Sequence, residues 1–212
     1  MNHAIVLTGL LLVGGAAARA QTVSLGVQGA LGDYREVSSN LHYRGAGGGL
    51  SLWLRVHKLS AEATATRVSY DPRDGNSGLT SFEATQIDAR LGFDVAAGFT
   101  AEVGVLRRTI SPELAAQEMG AARIGVRYSK SIGPGTTVAL RGNYLAGAKF
   151  TGEGKARLAF ELGLLVSTGP VNGRYRLTGD YGFQRIDRKV GDPGEPVPIQ
   201  QSLIRVGLAV GF

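Results

Sequence analysis

From Gln21 to the last residue, apolar positions recur every second residue. That is the period of a strand with one apolar face, not the 3.6-residue period of a helix. The final segment shows it most simply, with Ile204, Val206, Leu208, Val210 and Phe212 in one phase and Arg205, Gly207, Ala209 and Gly211 in the other. Leu50, Leu52, Leu54 and Val56 alternate in the same way with Ser51, Trp53, Arg55 and His57, and Ile87, Ala89, Leu91, Phe93 and Val95 with Asp88, Arg90, Gly92 and Asp94. Further on, Ala156, Leu158, Phe160, Leu162, Leu164 and Val166 oppose Arg157, Ala159, Glu161 and Gly163. Val171, Gly173, Tyr175, Leu177, Gly179 and Tyr181 oppose Asn172, Arg174, Arg176, Thr178 and Asp180.

Turn-forming residues divide these segments into hairpins. Short connections are predicted at His57-Lys58, Ala96-Ala97-Gly98, Gly133-Pro134-Gly135 and Thr168-Gly169-Pro170, and long ones near 33–46, 71–81, 108–120, 148–155 and 186–200. Cutting at the short turns gives five hairpins, hence ten strands, with eight as the alternative if one hairpin is overcounted. An even number of antiparallel strands, short turns at one rim, long loops at the other and both termini on the short-turn side is the layout of an up-and-down transmembrane β-barrel.

Alternation alone does not separate a membrane barrel from a soluble one. The identity of the cations does. The polar phase carries Arg55, Arg90, Arg123, Arg127, Arg141, Arg157, Arg174, Arg176 and Arg205 and no lysine, while Lys58, Lys130, Lys149, Lys155 and Lys189 fall at turns, loops or strand ends. A confined polar interior favours arginine, whose planar fork pairs with carboxylates at little further loss of freedom. Glu62, Asp88, Asp94, Glu102, Glu161 and Asp180 lie on the same phase as partners. The expectation is an ion-paired, largely closed lumen in which cations outnumber anions, with Trp53 filling part of the volume. The other phase has no charge in mid-strand, where Lys or Arg costs ~2–4 kcal/mol at the bilayer midplane; only Arg67 and Arg107, near the long-loop rim, are of uncertain phase. Outward aromatics (Phe99, Phe212, Tyr128, Tyr144, Tyr181) form a partial girdle.

The segment before Gln21 reads as a secretory signal. Ala4–Val13 is apolar, 14–18 is small, and Ala18-Arg19-Ala20 offers a cleavage site, so 1–20 is assigned as signal peptide and 21–212 as the barrel domain. The stretch ahead of the apolar core holds His3 and neither Lys nor Arg. The 212 residues include no cysteine, which excludes disulfide scaffolds, thiolate metal sites and a lipoprotein anchor. The net charge of +6, reduced to +5 by loss of Arg19, comes without a Lys/Arg cluster, so no nucleic-acid partner is expected.

The C-terminus resembles the assembly signal of bacterial outer-membrane proteins: an alternating final strand, Ile204, Val206, Leu208, Val210, closed by Phe212 as the last residue. With the signal peptide, the chain is similar to the small outer-membrane β-barrel class. The resemblance implies residence in the outer membrane of a diderm bacterium, among its lipid and lipopolysaccharide. It also implies folding by the β-barrel assembly machinery with periplasmic chaperones. A monomer is expected.

Barrels of this size include proteases and lipid-modifying enzymes that place a His beside a carboxylate or Ser. Only His42 and His57 follow Gln21, and no catalytic motif surrounds either. His42 is placed in the first long loop, within reach of Asp33 or Glu36, and His57 at the opposite rim. The run Ser111-Pro112-Glu113 to Met119 predicts a short helix with Ser111 as N-cap, resting on the barrel mouth. Gly45–Gly49 precedes a strand, so it forms no phosphate cradle, and Asp71–Asn76 lacks the distal Glu of a calcium loop. No cofactor or metal is expected. The sequence therefore points to a non-enzymatic outer-membrane barrel with a structural or surface-interaction role, its long loops offering sites for an extracellular ligand. A small porin-like channel with slight anion preference is the alternative, and a lipid-modifying enzyme or protease comes third.

Overall fold

A computed structural model describes residues 21–73, 79–152, 154–190 and 195–212; the signal segment 1–20 and parts of the connections at 71–81, 148–155 and 186–200 lie outside the described residues. The strands are β1 (Gln21–Glu36), β2 (Leu41–Val56), β3 (Leu59–Pro72), β4 (Phe82–Ala96), β5 (Phe99–Ser111), β6 (Met119–Gly133), β7 (Thr136–Phe150), β8 (Lys155–Thr168), β9 (Tyr175–Val190), β10 (Glu195–Pro196) and β11 (Ile199–Gly211). Each long strand pairs antiparallel with its sequence neighbours, β10 adds two residues beside β9, and β11 returns to pair with β1 through Leu25↔Val210. The result is a closed barrel of ten long strands with no free edge, the ten-strand alternative of the two expected.

The long strands run 13 to 16 residues. A bilayer needs only about 9–11 in a tilted strand, so each overruns the membrane at its loop end. For that reason the loops are shorter than expected. Pairing continues through Arg35↔His42 to Glu36↔Leu41, so the predicted 33–46 loop shrinks to Val37–Asn40 and His42 lies in β2. The one predicted short turn that lengthens is the last, where β8 ends at Thr168 and β9 begins only at Tyr175. The predicted helix does not form. Ser111 ends β5 paired with Glu83, and a single 3-10 turn, Ala115–Gln117, follows Leu114 in the left-handed conformation (φ 59°).

Side-chain polarity inverts along the strands, most completely along β1–β4. In their lower part, toward the short turns, the outer phase is apolar and bare: Val27 is 62% exposed and Leu50 63%. A water-soluble barrel would bury such a phase, whereas a bilayer covers it. Toward the loops the outer phase becomes charged (Asp33, Arg35, Arg44, Arg67, Glu83), while the inner phase turns apolar (Tyr34, Tyr43, Val68, Tyr70, Phe82). A crown with an ordinary buried core therefore stands on a membrane barrel with a polar interior.

Candidate functional site in the lumen

From the short-turn rim to the loop rim the lumen has three zones. The first is a vestibule of about 700 Å³ bounded by Ser24, Ser51, Trp53, Arg55, Arg127 and Arg176 and reaching Glu62, Asp180 and Arg205 at its floor. Small inward residues on β11, β1 and β2 (Ala209, Gly26, Ser51, joined through the Gly26↔Ala209 and Gly26↔Ser51 pairs) leave this wall thin and the space wide.

The second zone is an ion-pair network that ties opposite walls together. Arg123 on β6 donates to Asp88 on β4 and to Glu161 on β8. Arg90 reaches Glu161 at 2.8 Å and Glu62 at 3.2 Å. Arg141 on β7 reaches across to Glu62 on β3 at 2.6 Å and to Glu102 at 2.8 Å. Arg127 stands 3.4 Å from Glu102, and Arg205 lies 2.8 Å from Asp180 and 4.0 Å from Asp88. Neutral groups complete the carboxylates: Thr64 and Gln86 donate to Asp88 at 3.2 and 3.0 Å, and Asn143 and Gln184 to Glu161 at 3.0 and 2.9 Å. Beside the network the lining leaves a cavity of about 20 Å³, room for about one water.

The third zone is apolar. Tyr70 and Phe82 stack at 4.9 Å, and Tyr43 meets Phe82 edge-on at 4.9 Å. Tyr34 Oη donates to Gln117, the residue that the 3-10 turn drops into the mouth, and Gln117 in turn donates to Glu36. Glu118 anchors the same segment by accepting from the Ile110 amide at 3.1 Å and the Thr151 hydroxyl at 3.2 Å. The segment 112–118 thus rests on the mouth as expected, though not as a helix.

Of the residues placed on the inner phase by sequence, the network gathers Glu62, Asp88, Arg90, Glu102, Arg123, Arg127, Arg141, Glu161, Asp180 and Arg205. Arg55 and Asp94 pair with each other at the short-turn rim, apart from it. Arg176 faces the vestibule without an ion pair to a described residue. Two residues are corrected. Arg157 is the extra residue of a bulge between the Ala156↔Arg188 and Leu158↔Asp187 pairs, and the bulge turns it to the outside. Arg174 lies in the connection before β9, where its carbonyl accepts from the Gly211 amide at 2.7 Å. Sequence reasoning missed Arg108, 1% exposed, which donates to Gln184 between the network and the aromatic zone. The adjacent pair Arg107-Arg108 was its signal, because one of two consecutive strand residues must face inward.

The closing strand behaves as its pattern required. Ile204, Val206 and Leu208 face outward and exposed with Val210 beside them, and the Phe212 amide donates to the Val23 carbonyl at 2.9 Å. Polar side chains inside, an uninterrupted apolar belt outside, short turns and both described ends at one rim and the long connections at the other define the class. The chain is a membrane-spanning β-barrel. Neither a protein-family model nor a curated protein sequence matches it. Among solved structures it is similar to Neisserial surface protein A, at 18% identity and TM-score 0.44 over 90% of this chain and 97% of that one. It is also similar to an outer-membrane channel of Pseudomonas putida F1 (13%, TM-score 0.49, 93% and 97%) and to the outer-membrane protease OmpT of Escherichia coli (11%, TM-score 0.46, 91% and 96%).

Proposed function

We propose that this barrel is a non-conducting, non-enzymatic outer-membrane protein whose role is carried by the crown that its overlong strands raise above the membrane. The observation that supports it is the double closure of the lumen: cross-wall ion pairs at mid-depth and the Tyr34–Tyr43–Tyr70–Phe82 cluster above them. A rigid, charged, closed platform suits surface contacts, and loops on a fixed scaffold are where such contacts are commonly made. The vestibule favours the second reading, a small channel opened by rearrangement of the network, since it already provides a wide aqueous approach lined by Arg55, Arg127 and Arg176. His42 stands 2.8 Å from Asp33, but that carboxylate also takes Arg35 at 2.9 Å and Arg44 at 3.4 Å, which favours an ion-paired surface patch over a general base. The outward Phe212 and its apolar phase are proposed as the contact for the β-barrel assembly machinery.

The test is single-channel recording on the folded barrel in planar bilayers, with folding verified by the different gel mobility of boiled and unboiled protein. A silent membrane is expected. Discrete, anion-favouring current steps would replace this proposal by the channel.

A further inference from the structure

The outward charges of the crown are not distributed evenly. Within strands β1–β4 each outward arginine has an acid, Asp33 holding Arg35 and Arg44 and Glu83 holding Arg67, and only Arg73, in the connection after β3, is exposed without one among the described residues; across the barrel Arg185 has Asp187. Over β5–β9 four exposed cations, Arg107, Lys149, Arg157 and Lys189, make no ion pair with a described residue. The register sets three of them in one transverse row, through Arg107↔Gly120, Gly120↔Lys149, Lys149↔Lys155 and Lys155↔Lys189. With neighbouring strands about 4.8 Å apart, successive cations of the row Arg107, Lys149, Lys189 stand about 10 Å from one another.

Two irregularities of the sheet create this arrangement. On β7 an extra residue at Gly147 (φ 60°) separates Ala122↔Ala146 from Gly120↔Lys149. Leu145 below it is buried, and Ala148 and Phe150 above it pack inward, so Lys149 faces out; uninterrupted alternation would give Lys149 the inward phase of Leu145. On the adjacent β8 the Arg157 bulge does the same for a residue that alternation assigns to the phase of buried Ala159 and Glu161. Both bulges move a cation from lumen to outer surface at the same place. Directly below them the outer phase is apolar, with exposed Val105, Tyr144, Leu158 and Leu162 and the Phe160–Phe183 ring pair at 6.2 Å.

From this we infer that the β5–β9 sector is a binding site for a lipid carrying more than one phosphate in its headgroup, in the membrane leaflet facing the loops. The phosphates lie along Arg107, Lys149, Arg157 and Lys189, and the acyl chains lie on the apolar surface beneath. Acyl chains are what the second surface asks for, which selects a lipid over free phosphate. The site is independent of whether the lumen conducts.

Native mass spectrometry of the folded full chain in nonionic detergent, with bisphosphorylated lipid A as the probe, tests it. One retained lipid is expected, weakened by salt. The triple variant R107Q/K149Q/K189Q, verified as folded by gel mobility, is expected to lose about 100-fold in affinity, each cation near a charged lipid surface contributing roughly fivefold. K149R/K189R should keep the lipid, and R35Q/R44Q/R67Q, on the neutralised sector, should leave binding unchanged. Equal losses in both triple variants, or retention by R107Q/K149Q/K189Q, would overturn the site. Displacement by an equimolar amount of inorganic phosphate, or equal retention of phosphatidylcholine, would overturn its assignment to a phosphorylated lipid.

Discussion

Arg123 concentrates what individual residues do here. Its side chain is 1% exposed and joins Asp88 and Glu161, so it connects three strands that share no hydrogen-bonded edge. Substitution by Met leaves two buried carboxylates short of a cation, and removing one partner of such a pair costs about 3 kcal/mol. The Arg123→Met barrel should unfold at a clearly lower denaturant midpoint. Arg67→Met, which breaks only the exposed pair to Glu83, should shift it by less than about 1 kcal/mol; equal midpoints would mean that the lumen pairs hold nothing. Gly47 acts through its missing side chain, because a Cβ there would sit 1.9 Å from the Arg67 carbonyl oxygen of β3. Gly47→Ala should therefore destabilise by about 2 kcal/mol in the same measurement, the scale of overpacking. Most of the network could be read from the chain, since arginine without lysine on a strand's polar phase already marks a confined interior. Arg157 and Arg174 could not, because a bulge or a late strand start changes a residue's side without changing the local sequence.

At the scale of elements, the segment between β5 and β6 is the informative one. Ser111, Pro112 and an acidic residue compose a helix start, yet Ser111 stays in the ladder opposite Glu83 and Gln117 is drawn down to Tyr34 and Glu36. Burial of one amide between two polar partners outweighed local helix propensity, a tertiary effect that single-sequence patterns do not carry. Gln117→Ala removes both contacts. The expected result is faster protease cleavage within 112–118 with no conductance, since the Tyr70–Phe82 stack lies beneath; unchanged cleavage would show that Glu118 and the backbone bonds of Ala116 and Glu118 to Gly152 and Thr151 fix the segment without Gln117. The hairpin loops are shorter than their composition suggests for a related reason. Charged residues such as Asp33, Arg35 and Arg44 look like loop composition, although they are the outward phase of strands that have left the membrane.

For the whole molecule, strand number, closure and the belt follow from a period of two and the spacing of turns. The inversion of polarity is hidden from a reading that gives each strand one polar and one apolar phase for its entire length, whereas the pattern changes sign partway, as in Thr64 and Thr66 to Val68 and Tyr70 on the inner side of β3. Two opposite solvents act on a single strand, and the crossover marks where one gives way to the other.

That crossover also governs how the barrel enters and leaves its membrane. An insertion that carries the loop rim across takes the crown's outward Arg35, Arg44, Arg67, Arg107 and Arg185 through hydrocarbon, where each arginine on the lipid face costs ~2–4 kcal/mol at the midplane. Once the crown is across, the same toll opposes its return. The charges that contribute little to the equilibrium fold thus act as a ratchet: they slow unaided insertion, set the depth at which the strands come to rest, and make extraction slower still.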